Sequence, residues 1–522
     1  MAATQAAGSV RLQSAAGRWV LFATVLGSGL VMLDATVVNV ALPTIGRDFH
    51  AGLSGLQWTV NAYTLTLAGL LLLGGALGDH YGRRRVFVTG IVWFAAASLL
   101  CGVAPNVQAL VAARALQGVG AAMLTPGSLA IIEAVFHPQD RAAAIGAWSG
   151  LGGVTTAVGP VLGGLLTMEA SWRWIFLLNL PFTTAALWAA IRHVPESRDL
   201  QAAPGVDFTG AALAALGLAG IVYALTEGQV SGWAASAVLV AAAAGVLALV
   251  AFLLVERRSP HPMLPLEIFG SRQFSAANLV TFIVYGALGG ALFLLPIQLQ
   301  RVLHLTPLRA GTALVPMTIV LLLLSARAGR LAQRVGPRLP MTVGPLVAAA
   351  GLALLVRVVP GSTYWSGTLP GVLVFALGMS LTIAPLTSTV LAAVSDEHAG
   401  VASAVNNDVA RTAGLVAVAV LPAAAGISGA AALDPGTFAA GFRMAMWLAA
   451  SLVAAGGLLA WATIRNPAPA AAAAADAACH PGGPASNCPL DAPPLRQPAT
   501  ASSSAGAGAP EVGAAPAAEA ED

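Results

Sequence analysis

The sequence predicts an all-α integral membrane protein of fourteen transmembrane helices: two six-helix bundles with two further helices inserted between them. Three observations predict it. The chain is 57% hydrophobic and 9% charged, where a soluble domain carries roughly 25% charged residues. Fourteen stretches reach the roughly 20 apolar residues that a bilayer crossing needs. A polar knot, Gly75-Ala-Leu-Gly-Asp-His-Tyr-Gly-Arg-Arg-Arg85, recurs in weaker form as Gly329-Arg-Leu-Ala-Gln-Arg-Val-Gly-Pro-Arg338. In that repeat Gly75 matches Gly329, Leu77 matches Leu331, Gly82 matches Gly336 and Arg84 matches Arg338. The first copy follows the second span and the other follows the tenth. An offset of eight spans means six, then two, then six.

The elements follow in order. Residues 1–17 are small and polar, with Arg11, and read as a cytoplasmic N-terminus. Span 1 (18–42) is too long for a signal-peptide core and lacks a small-residue cleavage site, so it reads as retained. Span 2 (56–78) runs into the knot, and span 3 (86–104) leaves it after Arg85. Span 4 (108–132) carries Arg114 and stops before Glu133, and span 5 (142–166) is studded with glycine. Span 6 (172–191) closes the first bundle, 18–191. Spans 7 (208–226) and 8 (233–255) are the insertion, which with its linkers occupies 192–274, the last of them marked by Pro260, Pro262 and Pro265. Spans 9 (275–298), 10 (308–327), 11 (339–359), 12 (368–391), 13 (400–424) and 14 (442–464) make the second bundle, 275–465. Residues 466–522 are Ala, Pro, Gly and Ser with almost no large apolar side chain, a composition that reads as a disordered cytoplasmic tail.

Arginine placement supports this count. All 25 basic residues are Arg. With the N-terminus inside, seventeen fall in inner segments and six in outer ones, while Arg114 and Arg411 lie within spans. The excess inside is what the positive-inside rule requires, and it puts both termini in the cytoplasm of a multi-pass cell-membrane protein. The absence of Lys excludes a P-loop ATPase and a Schiff-base enzyme. A net charge of +3 gives no argument for nucleic acid. Cys101 reads as a small buried thiol, and Cys479 and Cys488 in the tail lack the partners of a metal site. No cofactor and no metal are expected.

The residues that stand out are polar groups in apolar spans. Asp34 lies deep in span 1, where an ionised carboxylate costs several kcal/mol unless paired. Arg114 is its expected partner. Counting from the outer ends of their spans at 1.5 Å per residue, Arg114 lies about 10 Å and Asp34 about 13 Å deep. Gln117 lies one turn from Arg114, and Asn61 lies in span 2. Asp408 and Arg411 are three residues apart on one face of span 13, beside Asn406 and Asn407, and either neutralise each other or take part in coupling. Glu133 and Glu227, near span ends, read as interfacial acids. In span 5, Gly152, Gly159, Pro160, Gly163 and Gly164 suit close helix approach, whether as plain packing or as a moving contact. In the knot, Gly75, Gly78 and Gly82 around Asp79 suggest a tight turn. Asp79 is placed to accept hydrogen bonds at the start of span 3 and to pair with Arg83 or Arg84, a charge latch.

These residues resemble a known family. Gly75 to Arg84 is similar to the loop 2–3 signature of the major facilitator superfamily. Leu33-Asp-Ala-Thr-Val-Val-Asn-Val-Ala-Leu-Pro43 resembles the span 1 motif of its fourteen-span drug:proton antiporter branch, the multidrug and antibiotic efflux type. Arg114-Ala-Leu-Gln-Gly-Val-Gly-Ala-Ala122 resembles the span 4 motif linked there to proton transfer. Gly152 to Gly164 resembles the span 5 motif associated with exporters. The resemblance implies a major facilitator fold and proton-coupled efflux of amphipathic small molecules, with Asp34 and Arg114 coupling. It also implies that the partners are protons, cargo and membrane lipid, and that the protein is a monomer. His80 departs from the usual Arg or Lys of the loop motif, and Gln333 stands where the first copy has Asp79. The rival expectations are a proton-coupled importer on the same fold and a membrane sensor or scaffold.

Overall fold

The computed structural model describes residues 10–198, 205–259, 262–395, 398–427 and 434–466. The expected tail, with Cys479 and Cys488, lies outside the described residues from 467 onward, as do the first nine residues of the N-terminal segment. Among the described residues the structure is helical, apart from one isolated bridge between Val10 and Phe136. A chain in hydrocarbon must satisfy its backbone polar groups within the segment, and the helix does this.

Among the described residues, thirteen helical stretches are long and apolar enough to cross a membrane. We number them with one more, in chain order: α1 (Ala15–Asp48), α2 (Leu53–Tyr81), α3 (Arg83–Gly102), α4 (Val107–Val135), α5 (Pro138–Glu169), α6 (Trp174–His193), α7 (Phe208–Ser231), α8 (Ser236–Arg258), α9 (Arg272–Arg301), α10 (Pro307–Val335), α11 (Arg338–Leu355), α12 (Tyr364–Ala392), α13 (Ala399–Ala424) and α14 (Pro435–Thr463). The one more is α13, a 26-residue helix. Its polar group, Asn406, Asn407, Asp408 and Arg411, lowers its hydropathy. The starts are capped as local chemistry dictates. Ser14 accepts from the Gly17 amide, Asn106 from Ala109, Asp207 from Gly210 and Asp434 from Thr437. The exposed Asp434 carboxyl is held below its ordinary pKa, chiefly by the Thr437 hydroxyl and amide.

The helix packing repeats with an offset of eight. Helix α1 packs on α4, α5 and α6, and α9 packs on α12, α13 and α14. Helices α2 and α3 pack on α4 as α10 and α11 pack on α12, and α3 meets α6 as α11 meets α14. The two halves meet along α5 with α10 and along α2 with α13, pairs that this relation exchanges. The inserted α7 lies on α2 and α13, touching both halves, and α8 packs on α7.

The repeated knots show the same relation in detail. Gly82 and Gly336 both adopt positive φ, 111° and 82°, a conformation that glycine takes without a Cβ penalty. Each lies against a residue three positions past the helix that closes its half. Glu196 Oε1 accepts from the Arg84 amide at 3.0 Å, and Asn466 Oδ1 accepts from the Arg338 amide at 3.1 Å. The acceptor at the start of α3 is therefore Glu196, not Asp79. Asp79 instead takes Nε and Nη2 of Arg83, each at 2.8 Å, while Arg84 and Arg85 lean on Glu196 at 3.7 Å. Gly75 is helical, with only ordinary contacts in prospect for a Cβ, so the turn belongs to Gly82. Glu196→Gln keeps an acceptor for the cap and is expected to cost under about 1 kcal/mol. Glu196→Ala removes the cap and is expected to cost about 1–2 kcal/mol. Thermal unfolding of the purified protein measures both, and equal losses would contradict the capping role.

Candidate functional site

The site is built from five helices of the first half. Helix α1 brings Asp34, fully buried, against Arg114 of α4, 1% exposed, in a direct ion pair between Oδ2 and Nη1. Removing two charges from water costs several kcal/mol each, and attraction repays it only when the remaining polar atoms are also satisfied. Here many are. Gln117 Nε2 donates to Asp34 Oδ1 at 2.8 Å and to Ser98 Oγ at 2.9 Å, and its Oε1 accepts from Arg114 Nη1 at 2.6 Å. Asn179 Nδ2 of α6 donates to Asp34 Oδ1 at 3.2 Å and to Ser98 Oγ at 3.3 Å. Arg114 Nε donates to the Thr59 carbonyl of α2 at 3.0 Å. Its guanidinium lies 4.2 Å from the Tyr63 ring centroid and 5.6 Å from that of Phe176. Such cation–π contacts gain strength when desolvated. The Cys101 thiol also faces Gln117 Oε1, at 3.7 Å.

The sequence named Asp34, Arg114 and Gln117 in this cluster, and the structure brings all three together. It adds Thr59, Tyr63, Ser98, Phe176 and Asn179. Asn179 had a signal, an amide inside an apolar span. Ser98 and Tyr63 had none, because single Ser and Tyr residues are common in membrane helices. Asn61 is also fully buried in α2, but neither of its amide atoms has a partner and it does not join the ion pair.

Among the described residues the second half carries no equivalent charge pair. Helices α9 and α12, which stand where α1 and α4 stand, contain no acid, and only α9 has Arg, at its two ends. Its polar group is on α13. Asn406 Nδ2 donates to Asn278 Oδ1 at 3.1 Å and to Thr281 Oγ1 at 2.8 Å, both on α9. Asn407 is exposed. Asp408 and Arg411 share a helix face but form no ion pair with each other, and Asp408 Oδ1 and Arg411 Nε have no hydrogen-bond partner. Among the described residues no group of three His, Cys, Asp or Glu is placed to hold a metal ion.

The glycines of α5 divide by neighbour. A Cβ on Gly159 would stand 2.1 Å from Thr36 Oγ1, and one on Gly163 would stand 2.6 Å from the Val37 carbonyl oxygen, both on α1. On Gly164 it would stand 2.5 Å from the Pro307 carbonyl oxygen of α10. Reciprocally, a Cβ on Gly311 of α10 would stand 2.0 Å from the carbonyl oxygen of Pro160. Gly152 meets only Met32 Sδ at 3.4 Å, an ordinary contact. So Gly159 and Gly163 serve contact within the half, and Gly164 and Pro160 serve the seam.

That seam is closed at the end of the bundle away from the start of α1 and the end of α14, the distal face. Gln57 Nε2 donates to the Val418 carbonyl at 2.8 Å, and Gln300 Nε2 donates to the Val40 carbonyl at 2.8 Å. The Asp79 and Arg83–Arg85 contacts, at the opposite face, stay within the first half.

Residues 24–419 match the family model described as Major Facilitator Superfamily. The chain belongs to the Major Facilitator Superfamily. This superfamily member is 38% identical over 479 residues to the puromycin resistance protein pur8 of Streptomyces alboniger, covering 89% of this chain and 95% of that one. It is 33% identical over 401 residues to the tetracenomycin C resistance and export protein of Streptomyces glaucescens, covering 77% and 74%. Among solved structures it is similar to a bacterial homologue of the human lysosomal transporter Spinster in an inward-facing, unoccupied conformation. The TM-score is 0.61 at 17% identity, over 88% of this chain and 100% of the other, a likeness of fold. It is a multi-pass membrane protein of a transporter family.

Proposed function

We propose that this superfamily member is a proton-coupled exporter of amphipathic small molecules, an antiporter of the drug or antibiotic efflux type that works by alternating access. The relatives named for resistance and export support the direction of transport. The observation that carries the coupling is the Asp34–Arg114 pair, sealed among Gln117, Asn179 and Tyr63 in one half only. Both termini face the cytoplasm, so the distal face is external and the arrangement described is closed to the outside.

A proton that reaches Asp34 cancels its attraction for Arg114. The freed guanidinium keeps Thr59 and Tyr63 of α2, while α1 loses its charge link to α4. Helix α1 also bonds across the seam, through Val40 to Gln300, so a change in its seat reaches the interface between the halves. Rigid-body rocking of the halves then exchanges the exposed face. Energy comes from the proton gradient, and neither catalysis nor a cofactor enters the cycle. The protein works as a monomer in lipid, and the charge latch of Asp79, Gly82, Arg83 and Arg84 steadies the first half while it moves.

Inside-out vesicles test the reading. With the lumen acidified, an exporter concentrates a fluorescent amphiphile inside, and collapse of the gradient releases it. Loss of dye from preloaded vesicles on acidification would mean import. Gradient-independent dye levels would refute coupling.

A further inference from the structure

A cavity lies outside the ion pair, lined by neither Asp34 nor Arg114 nor any residue of the second half. It is a groove of about 750 Å³ that opens at the distal face, between α4 and α7 and over α2. Helix α7 packs on α2 but makes no comparable contact with α4, so the groove is the gap between them. This volume lies within the usual range for small-molecule sites, roughly 300–1,000 Å³.

Its chemistry is specific. The ionisable groups that line it are Glu227 and His50, and no arginine does. Glu227 Oε1 accepts from the Trp58 indole Nε1 at 2.8 Å, and among the described residues no cation lies within ion-pair distance of its carboxylate. Tyr223, one turn before Glu227, has its ring 6.0 Å from that of Trp58. The deep end is apolar, formed by Ala62, Leu65 and Ala115. A carboxylate without a cation beside the Trp58 ring, above an apolar floor, has the elements that hold a lipophilic cation.

We propose that this groove is a binding subsite for a monovalent aromatic or lipophilic cation, with Glu227 as counter-ion and Trp58 as the aromatic wall. The proposal rests on the exporter reading for its biological direction, since it places the subsite on the proposed release side. The walls are shared with the coupling site. Trp58 precedes Thr59, whose carbonyl holds Arg114, and Ala115 follows Arg114. A cation seated in the groove therefore bears on the two backbone segments that position the guanidinium.

Binding of tetraphenylphosphonium to the purified full chain in lipid nanodiscs tests this. Glu227→Gln keeps an oxygen for the Trp58 indole and removes only the charge, so packing is preserved. It is expected to weaken binding about tenfold, and Glu227→Asp is expected to retain most of it. Trp58→Phe keeps a ring and is expected to weaken binding less than Glu227→Gln does. Parent-like affinity in Glu227→Gln, or no binding by the parent chain, overturns the subsite. The exporter reading fails separately. If the parent binds the cation in a Glu227-dependent way but moves no dye in acidified vesicles, the subsite stands and the transport reading falls.

Discussion

Asp34→Asn is expected to abolish gradient-driven accumulation. One proton falling through 100 mV supplies about 2.3 kcal/mol. Exchanged one for one against a neutral cargo, that sustains a concentration ratio of about fiftyfold, since 1.4 kcal/mol is tenfold. The variant has no titratable group at the centre of the network, so the ratio should fall to about one. Cargo exchange between the two sides, which needs no net proton movement, should survive. The fold should survive as well. Asn retains an oxygen toward Arg114, and Gln117 and Thr59 still accept from the guanidinium. Arg114→Ala is the harsher change. It strips the partner from a buried carboxylate, a loss of about 3–5 kcal/mol, and is expected to lower the yield of folded protein as well as activity. Vesicle accumulation measured beside counterflow separates the effects. An Asp34→Asn protein that still concentrates dye on acidification would remove Asp34 from the coupling.

The second large effect is expected at the distal seam. Gly311→Leu places a side chain where the Pro160 carbonyl oxygen stands 2.0 Å from the would-be Cβ, and Gly164→Leu does so against Pro307 and Leu308. Backbone on both sides leaves nothing soft to yield. Overpacking of this kind costs typically 1–3 kcal/mol, and two units shift a two-state population about thirtyfold. The arrangement closed at the distal face should be depleted and turnover should drop more than about tenfold, with normal membrane levels. A cysteine placed at Gln57, beside the Val418 carbonyl when the seam is closed, should become reactive to an impermeant maleimide from the distal face. Turnover within twofold of the parent, with the cysteine still protected, would show that these glycines only pack.

Much of this protein was legible from its side-chain pattern. Span number and order follow from apolar length, because lipid leaves the backbone no alternative to the helix. The six-two-six division follows from one repeated loop. The ion pair was foreseeable because two opposite charges at equal depth in hydrocarbon are costly apart. The outcome differed where geometry in three dimensions chooses among similar groups. Asp79 and Glu196 are both acids near the start of α3, and only the return of the chain after α6 decides that Glu196 caps it. Seven glycines mark α5, and only the neighbours separate Gly164 at the seam from Gly163 within the half. Asp408 and Arg411 have the spacing of an ion pair, yet their rotamers leave it unmade. Glu227 read as an acid near a span end, and it became a groove carboxylate through Trp58, 169 positions earlier.

Taken alone, the sequence determined that this is a fourteen-helix membrane chain in two related halves, with its deep acid–base pair in the first. Those properties depend on transfer free energy and on short-range order, both written locally. The tertiary structure alone decided which amides close around Asp34, which end of the seam is sealed, and that α7 leaves a gap against α4. Those depend on contacts between residues far apart in the chain, where a shift of one helix turn exchanges one partner for another.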